Sequence, residues 1–182
     1  MKVWAGAVRT VLGLAVILAL VGAPGSSSSV SDADVWALVR GNNAFAFDLY
    51  SVVSSQDGNV FISPYSISSA LAMTYAGARG NTAAQMADVL HYDLAPEQLH
   101  KLFSELSKAF NAGGESYRLS VANALWSQVG LKLVPEYVSL AEKYYDAGLK
   151  EVDFVYHTEE ARSAINRWVE DKTEGKIIDL IA

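Results

Sequence analysis

"NVFISPYSISSALAMTYAGARGNT", residues 59–82, gathers four serines (Ser63, Ser66, Ser68 and Ser69) around Pro64 and against an apolar run. Such a stretch can hold a nucleophile, a phosphate cradle or the start of a buried helix. None of the serines stands in a G-x-S-x-G elbow, and no lysine follows Ser63, Ser66 or Ser69 by three residues. "GARGNT" lacks the Gly-Lys-Ser/Thr ending of a phosphate loop. The helix start fits best. Proline has no N–H to lose at the first helical position, and a serine before it can cap the free amides. The spacing predicts a helix from Pro64 to about Gly77. Ile67, Leu71 and Tyr75 form one stripe, beside a stripe of small residues at Ser66, Ala70 and Thr74 where something can pack closely.

Upstream, "SDADVWALVRGNNAFAFDLYSVV" predicts a helix with Ser31 and Asp34 as a capping box and Trp36, Val39, Phe45 and Leu49 at helical spacing. "SSQDGN" is a turn, and "VFIS" a short β-prone run. Downstream, Thr82 and Gln85 suggest a capping box for a short helix. "APEQLHKLFSELSKAF" is an amphipathic helix with Leu99, Phe103, Leu106 and Phe110 inward. "SYRLSVANALWSQ" changes the period to two: Tyr117, Leu119, Val121, Asn123 and Leu125 share one face of a strand. Asn123 thus lands on an apolar face, where an unbonded amide costs about 1–3 kcal/mol. Pro135 opens another helix, "LKEVDF" reads as a strand, and Thr158 caps "EEARSAINRWVEDKTEG", which Gly175 ends. The tail "KIIDLIA" is apolar, and no internal repeat is present.

The 182 residues are 51% apolar and 19% charged, a globular composition with room for one domain. The chain has no cysteine, which excludes disulfides, thiol catalysis and cysteine-ligated zinc. Lys2 and Arg9 flank the start of an uninterrupted apolar run of 11 residues, Val11–Val21, followed by "GAPGSSSS". That order predicts a secretory signal peptide over residues 1–25, cleaved near Ala23 to Gly25, then a polar linker over 26–30 and a domain over 31–182. The apolar run is short of the ~20 residues a membrane span needs, and there is no cysteine to accept a lipid. Residues 1–25 carry two basic and no acidic side chains, so the remainder holds 12 basic and 20 acidic ones, a formal charge of −8. This disfavours nucleic acid as a partner.

No catalytic constellation emerges. His91, His100 and His157 lack metal-ligand spacing and read as surface residues. Glu159, Glu160, Glu170 and Asp171 read as a solvated helix face. The chain is therefore expected to be no enzyme and to hold no cofactor or metal.

"NVFISPYSISSALAMTYAGARGNTAAQM" resembles the serpin signature around that family's second helix. "SVANALW" resembles the strand after its fourth helix, and "VPEYVSLAEKYYDAGLKEVDF" the helix and strand that follow. "EEARSAINRWVEDKTEGKIIDLI" resembles the helix lying across the main sheet. Order and spacing agree from about Asp34 to Ala182.

The resemblance implies an α+β serpin-like domain of N-terminal helices plus strands of the main sheet. The helix at Pro64 would lie behind the place where two strands part to admit the reactive loop. Ser63, Pro64, Ser66 and Asn123 would belong to that opening, the shutter. Hydroxyls and an amide can exchange hydrogen-bond partners as strands separate, whereas packed leucines would hold one arrangement. Plain capping by Ser63 and a satisfied core amide at Asn123 is the alternative. The family domain continues beyond Ala182, so the remaining strands and the reactive loop are expected to be missing, and no reactive-site residue lies in this chain. The implied function is secreted inhibition of a target serine protease by the full-length form, a monomer, with no membrane association after signal removal. The alternative is a non-inhibitory carrier, storage or chaperone-like member.

Overall fold

The computed structural model describes residues 30–55, 58–114, 116–117, 119–145 and 150–182. The expected signal peptide, and the linker apart from Val30, lie outside them. Helix α1 spans Asp32–Val53. Ser31 caps it, accepting from the Asp34 amide at 3.2 Å. The Asp34 carboxylate accepts the Ser31 hydroxyl proton at 2.6 Å. Aspartate is one methylene shorter than the glutamate of a full capping box, and here it bonds the cap's side chain.

Helix α2, Pro64–Gly77, begins where the proline predicts. Its packed face differs from the expected stripe: Leu71 and Thr74 are exposed, while Ser68, Ala72 and Ala76 point inward at i, i+4, i+8, flanked by Ser69 and Met73. The cause is crowding. α2 touches α1, α3 (Gly80–Leu90), α4 (Pro96–Asn111) and α5 (Pro135–Tyr145), so small side chains face its neighbours. Helix α3 starts from Arg79 and not from the Thr82–Gln85 box, because Gly80 turns the chain at φ +56° directly after α2. Arg79 closes that corner by donating to the carbonyls of Ala76 and Ala78 at 2.9 and 2.7 Å.

The core joins Leu38 and Phe45 of α1, Ala72 of α2, Leu90 of α3, Tyr92, and Leu99, Leu102 and Phe103 of α4. Leu106 and Phe110 are half-buried, as the outer turns of the same face. His100 is not a surface residue: it is fully buried. α4 is embraced by α1, α2 and α5, so it buries a wider face than one stripe.

Strands β1, Trp126–Gln128, and β2, Lys150–Val152, pair in parallel, with Trp126 opposite Lys150 and α5 as part of the crossover. Both are shorter than the sequence period suggests. Residues 119–124 make no ladder with any described residue, and Tyr117 and Leu119 are exposed. The "VFIS" run likewise pairs with nothing among the described residues, and Phe61 is entirely exposed. Alternation marks residues able to form a strand, but a ladder needs a neighbour.

Helix α6, Thr158–Lys172, is preceded by His157 at the cap position, so Thr158 is its first residue and not its cap. The Thr158 hydroxyl donates back to the Phe154 carbonyl at 2.9 Å. Asp153 organises this corner, its carboxylate accepting from the Gln128 side chain and from the amides of Val155 and Tyr156 at 2.9–3.1 Å. The Gln128 bond and these amides hold the Asp153 carboxyl far below the usual carboxylate range. His157, bonded to Asp153 at 3.0 Å, is raised by that contact. The chain leaves α6 through Gly175 at φ +73°, whose amide returns to the Glu170 carbonyl at 2.9 Å.

Candidate functional site

The first two turns of α2 carry a row of hydroxyls at i, i+3 and i+6. Ser63 is exposed, Ser66 is half-buried and Ser69 is buried. Pro64 leaves the amides of the first turn free for capping. The Ser63 hydroxyl accepts from the Ser66 amide at 3.4 Å and lies 2.9 Å from the Ser66 hydroxyl.

Asn123 approaches this row from the segment before β1. Its Nδ2 donates to the Ser69 hydroxyl at 3.1 Å. The structure therefore joins Asn123 to α2 through Ser69, about one turn beyond Ser66 and two beyond Ser63. Partners 54 residues apart leave no local trace, so Ser69 could be placed only by the fold. Its spacing of three from Ser66 is the one signal that a single sequence offers.

The neighbouring face of α2, one residue round the helix, holds a firmer contact. The Tyr92 hydroxyl donates to the Ser68 carbonyl at 2.6 Å and lies 3.2 Å from the Ser68 hydroxyl. Burial pushes the Tyr92 phenol well above its ordinary value. Tyr92 also meets Tyr75 and Phe103 edge-on, with ring centres 5.4 and 5.9 Å apart. α2 is thus locked to the core through Ser68 and, among the described residues, hydrogen-bonded to the segment before β1 through the one side-chain amide of Asn123.

That amide faces a cleft of about 1130 Å³ between α2, α4, α5, α6 and residues 120–124. Ser69, Asn111, Asn123, Lys150 and Trp168 line it. The arrangement offers exchangeable hydrogen-bond partners and no nucleophile–base pair. Among the described residues, no three His, Asp or Glu converge as metal ligands. No helix among them is long and apolar enough to cross a membrane.

The family model described as Serpin (serine protease inhibitor) matches residues 40–182. The leukocyte elastase inhibitor of Sus scrofa is 46% identical over 147 residues, covering 80% of this chain and 39% of that protein. Cleaved kallistatin complexed with heparin superposes with a TM-score of 0.71 at 32% identity, over 78% of this chain and 42% of kallistatin. Ovalbumin from emu (Dromaius novaehollandiae) gives 0.72 at 28% identity, over 80% of this chain and 41% of ovalbumin. The chain thus spans about two fifths of the length of these relatives.

Proposed function

This chain belongs to the serpin family, and on that premise we propose that it is the N-terminal part of a serine-protease inhibitor that acts by inserting a reactive loop into its main sheet. The observation that carries this reading is the Asn123–Ser69 bond. It is the polar link among the described residues between the helix at the rear of the opening and the segment that runs into the sheet. A hydroxyl–amide pair at a cleft wall can be given up and remade at about 0.5–1.5 kcal/mol, which suits a place that must part. Ser63 and Ser66 extend the same row toward solvent and supply further partners. The reading assigns the chain no catalysis of its own. Its partner is a serine protease, met through a loop outside these residues. The test is whether the whole protein forms with a serine protease a covalent complex that survives denaturant.

We also propose export, on the basic start, the apolar run and the small residues that follow it. N-terminal sequencing of secreted protein should find a chain beginning between Pro24 and Ser26. An intact Met1 on a membrane-retained chain would contradict it.

A further inference from the structure

Two asparagines act on the backbone in the same way. Asn111, the last residue of α4, donates from Nδ2 to the Val121 carbonyl at 2.9 Å and accepts from the Val121 amide at 2.7 Å. Asn166, buried in α6, donates to the Ile181 carbonyl at 2.9 Å and accepts from the Ile181 amide at 2.9 Å. Each side-chain amide takes both backbone groups of one residue, the pair by which a residue in an antiparallel sheet bonds its neighbour. Neither held residue lies in a ladder among the described residues. Each asparagine stands in for an adjacent strand.

The Asn111 contact bears on the site. Val121 and Asn123 are two residues apart, so in an extended chain their side chains share a face. Asn111 projects from a helix anchored by the fully buried Leu99, Leu102 and Phe103, and that helix packs on α2, which carries Ser69. Residues 119–125 are joined to this body by Asn111 at Val121 and by Asn123 at Ser69. The first bond pair fixes the backbone, and the second meets a single side-chain atom.

We propose that Asn111 is the positioning residue of this site: by gripping both backbone groups of Val121 it sets the register of residues 119–125 and aims Asn123 at Ser69. A register slip of one residue would turn Asn123 to the other face and empty the site. Asn111 is then the anchor, and the Asn123–Ser69 bond the contact that gives way. The functional half of this inference rests on the loop-insertion reading; the positional half does not.

The experiment compares Asn111→Leu and Asn111→Asp with the parent chain. Nuclear magnetic resonance would follow the Val121 backbone amide and the Asn123 side-chain amide. In Asn111→Leu, which keeps the branching at Cγ but removes donor and acceptor, exchange of the Val121 amide should accelerate about tenfold, the factor that one ordinary hydrogen bond represents. The Asn123 side-chain signal should move to where Ser69→Ala places it. Asn111→Asp keeps the acceptor, so the Val121 amide should stay protected. It loses the donor to the Val121 carbonyl, and a partial shift at Asn123 is expected. An unmoved Asn123 signal in Asn111→Leu would overturn the proposal, as would unchanged Val121 exchange. In the whole protein, Asn111→Leu should alter loop insertion in the same direction as Asn123→Leu. A moved Asn123 signal with unchanged insertion would remove the functional half. Failure of the parent whole protein to form any protease complex would instead remove the loop-insertion reading and leave the positioning result standing.

Discussion

Acidification from pH 7 to pH 4 should cost this protein about 3 kcal/mol through His100 alone, and His100→Phe should abolish that part of the loss. His100 is fully buried among aromatic rings, with Tyr75, Tyr144 and Tyr145 centred 5.7–6.3 Å away. Its Nδ1 lies 2.6 Å from the Tyr145 hydroxyl, and its Nε2 has no partner among the described residues. Burial lowers the imidazole from 6.5 to about 4, because a charged ring there would lose its water. Above pH 6.5 the ring is neutral in both folded and unfolded chains, and His100 contributes no slope. As pH falls from 6.5, the unfolded chain takes up a proton that the folded one refuses, so stability drops until about pH 4. His157 titrates in the opposite sense: its raised value gives stability that is present at low pH and lost as pH rises through it. Urea unfolding of the parent and of His100→Phe, at steps from pH 7 to pH 4, separates the two histidines. Parallel stability curves would show that His100 does not carry the acid sensitivity.

The second large effect is kinetic. Asn123→Leu, made in the whole protein, should change the rate of loop insertion about tenfold or more, while global stability changes by about 1–3 kcal/mol, the cost of stranding the buried Ser69 hydroxyl. Leucine can pack in the space of asparagine, but it cannot trade partners as the wall of the cleft moves. Conversion to the inserted form is timed against unfolding of both forms. Equal stability shifts in the two forms, with no change in the conversion rate, would reduce Asn123 to an ordinary satisfied core amide.

Helix starts were legible because their signals are local. Ser31, Ser63 with Pro64, and Pro135 each mark a terminus through capping or a missing amide, and each helix begins there. Local signals misled where chain geometry intervened. Gly80 allowed α3 to begin before the Thr82–Gln85 box, and the Asp153 turn moved the cap of α6 from Thr158 to His157. The periodicity from Tyr117 to Trp126 was visible, but whether those residues pair depends on strands elsewhere. His100 escaped because one histidine beside Leu99 and Phe103 has the same local pattern whether its face is covered by α5 or by water. Ser63, Pro64, Ser66 and Asn123 are expected at the candidate site from the motifs, and of these the structure brings Asn123 to the cleft. Ser69 and Asn111 could not be named from the motifs, since each acts through a residue distant in the chain.

The most direct measurement mixes the whole protein, and separately residues 26–182, with trypsin-, chymotrypsin-, elastase- and subtilisin-like proteases. The products are then separated in denaturant. The whole protein should form a covalent complex with at least one of them, and residues 26–182 should form none, because loop and receiving strands must act together. Proteolysis of the whole protein by every protease without a stable complex would contradict inhibition by loop insertion, and a complex formed by residues 26–182 alone would contradict the mechanism.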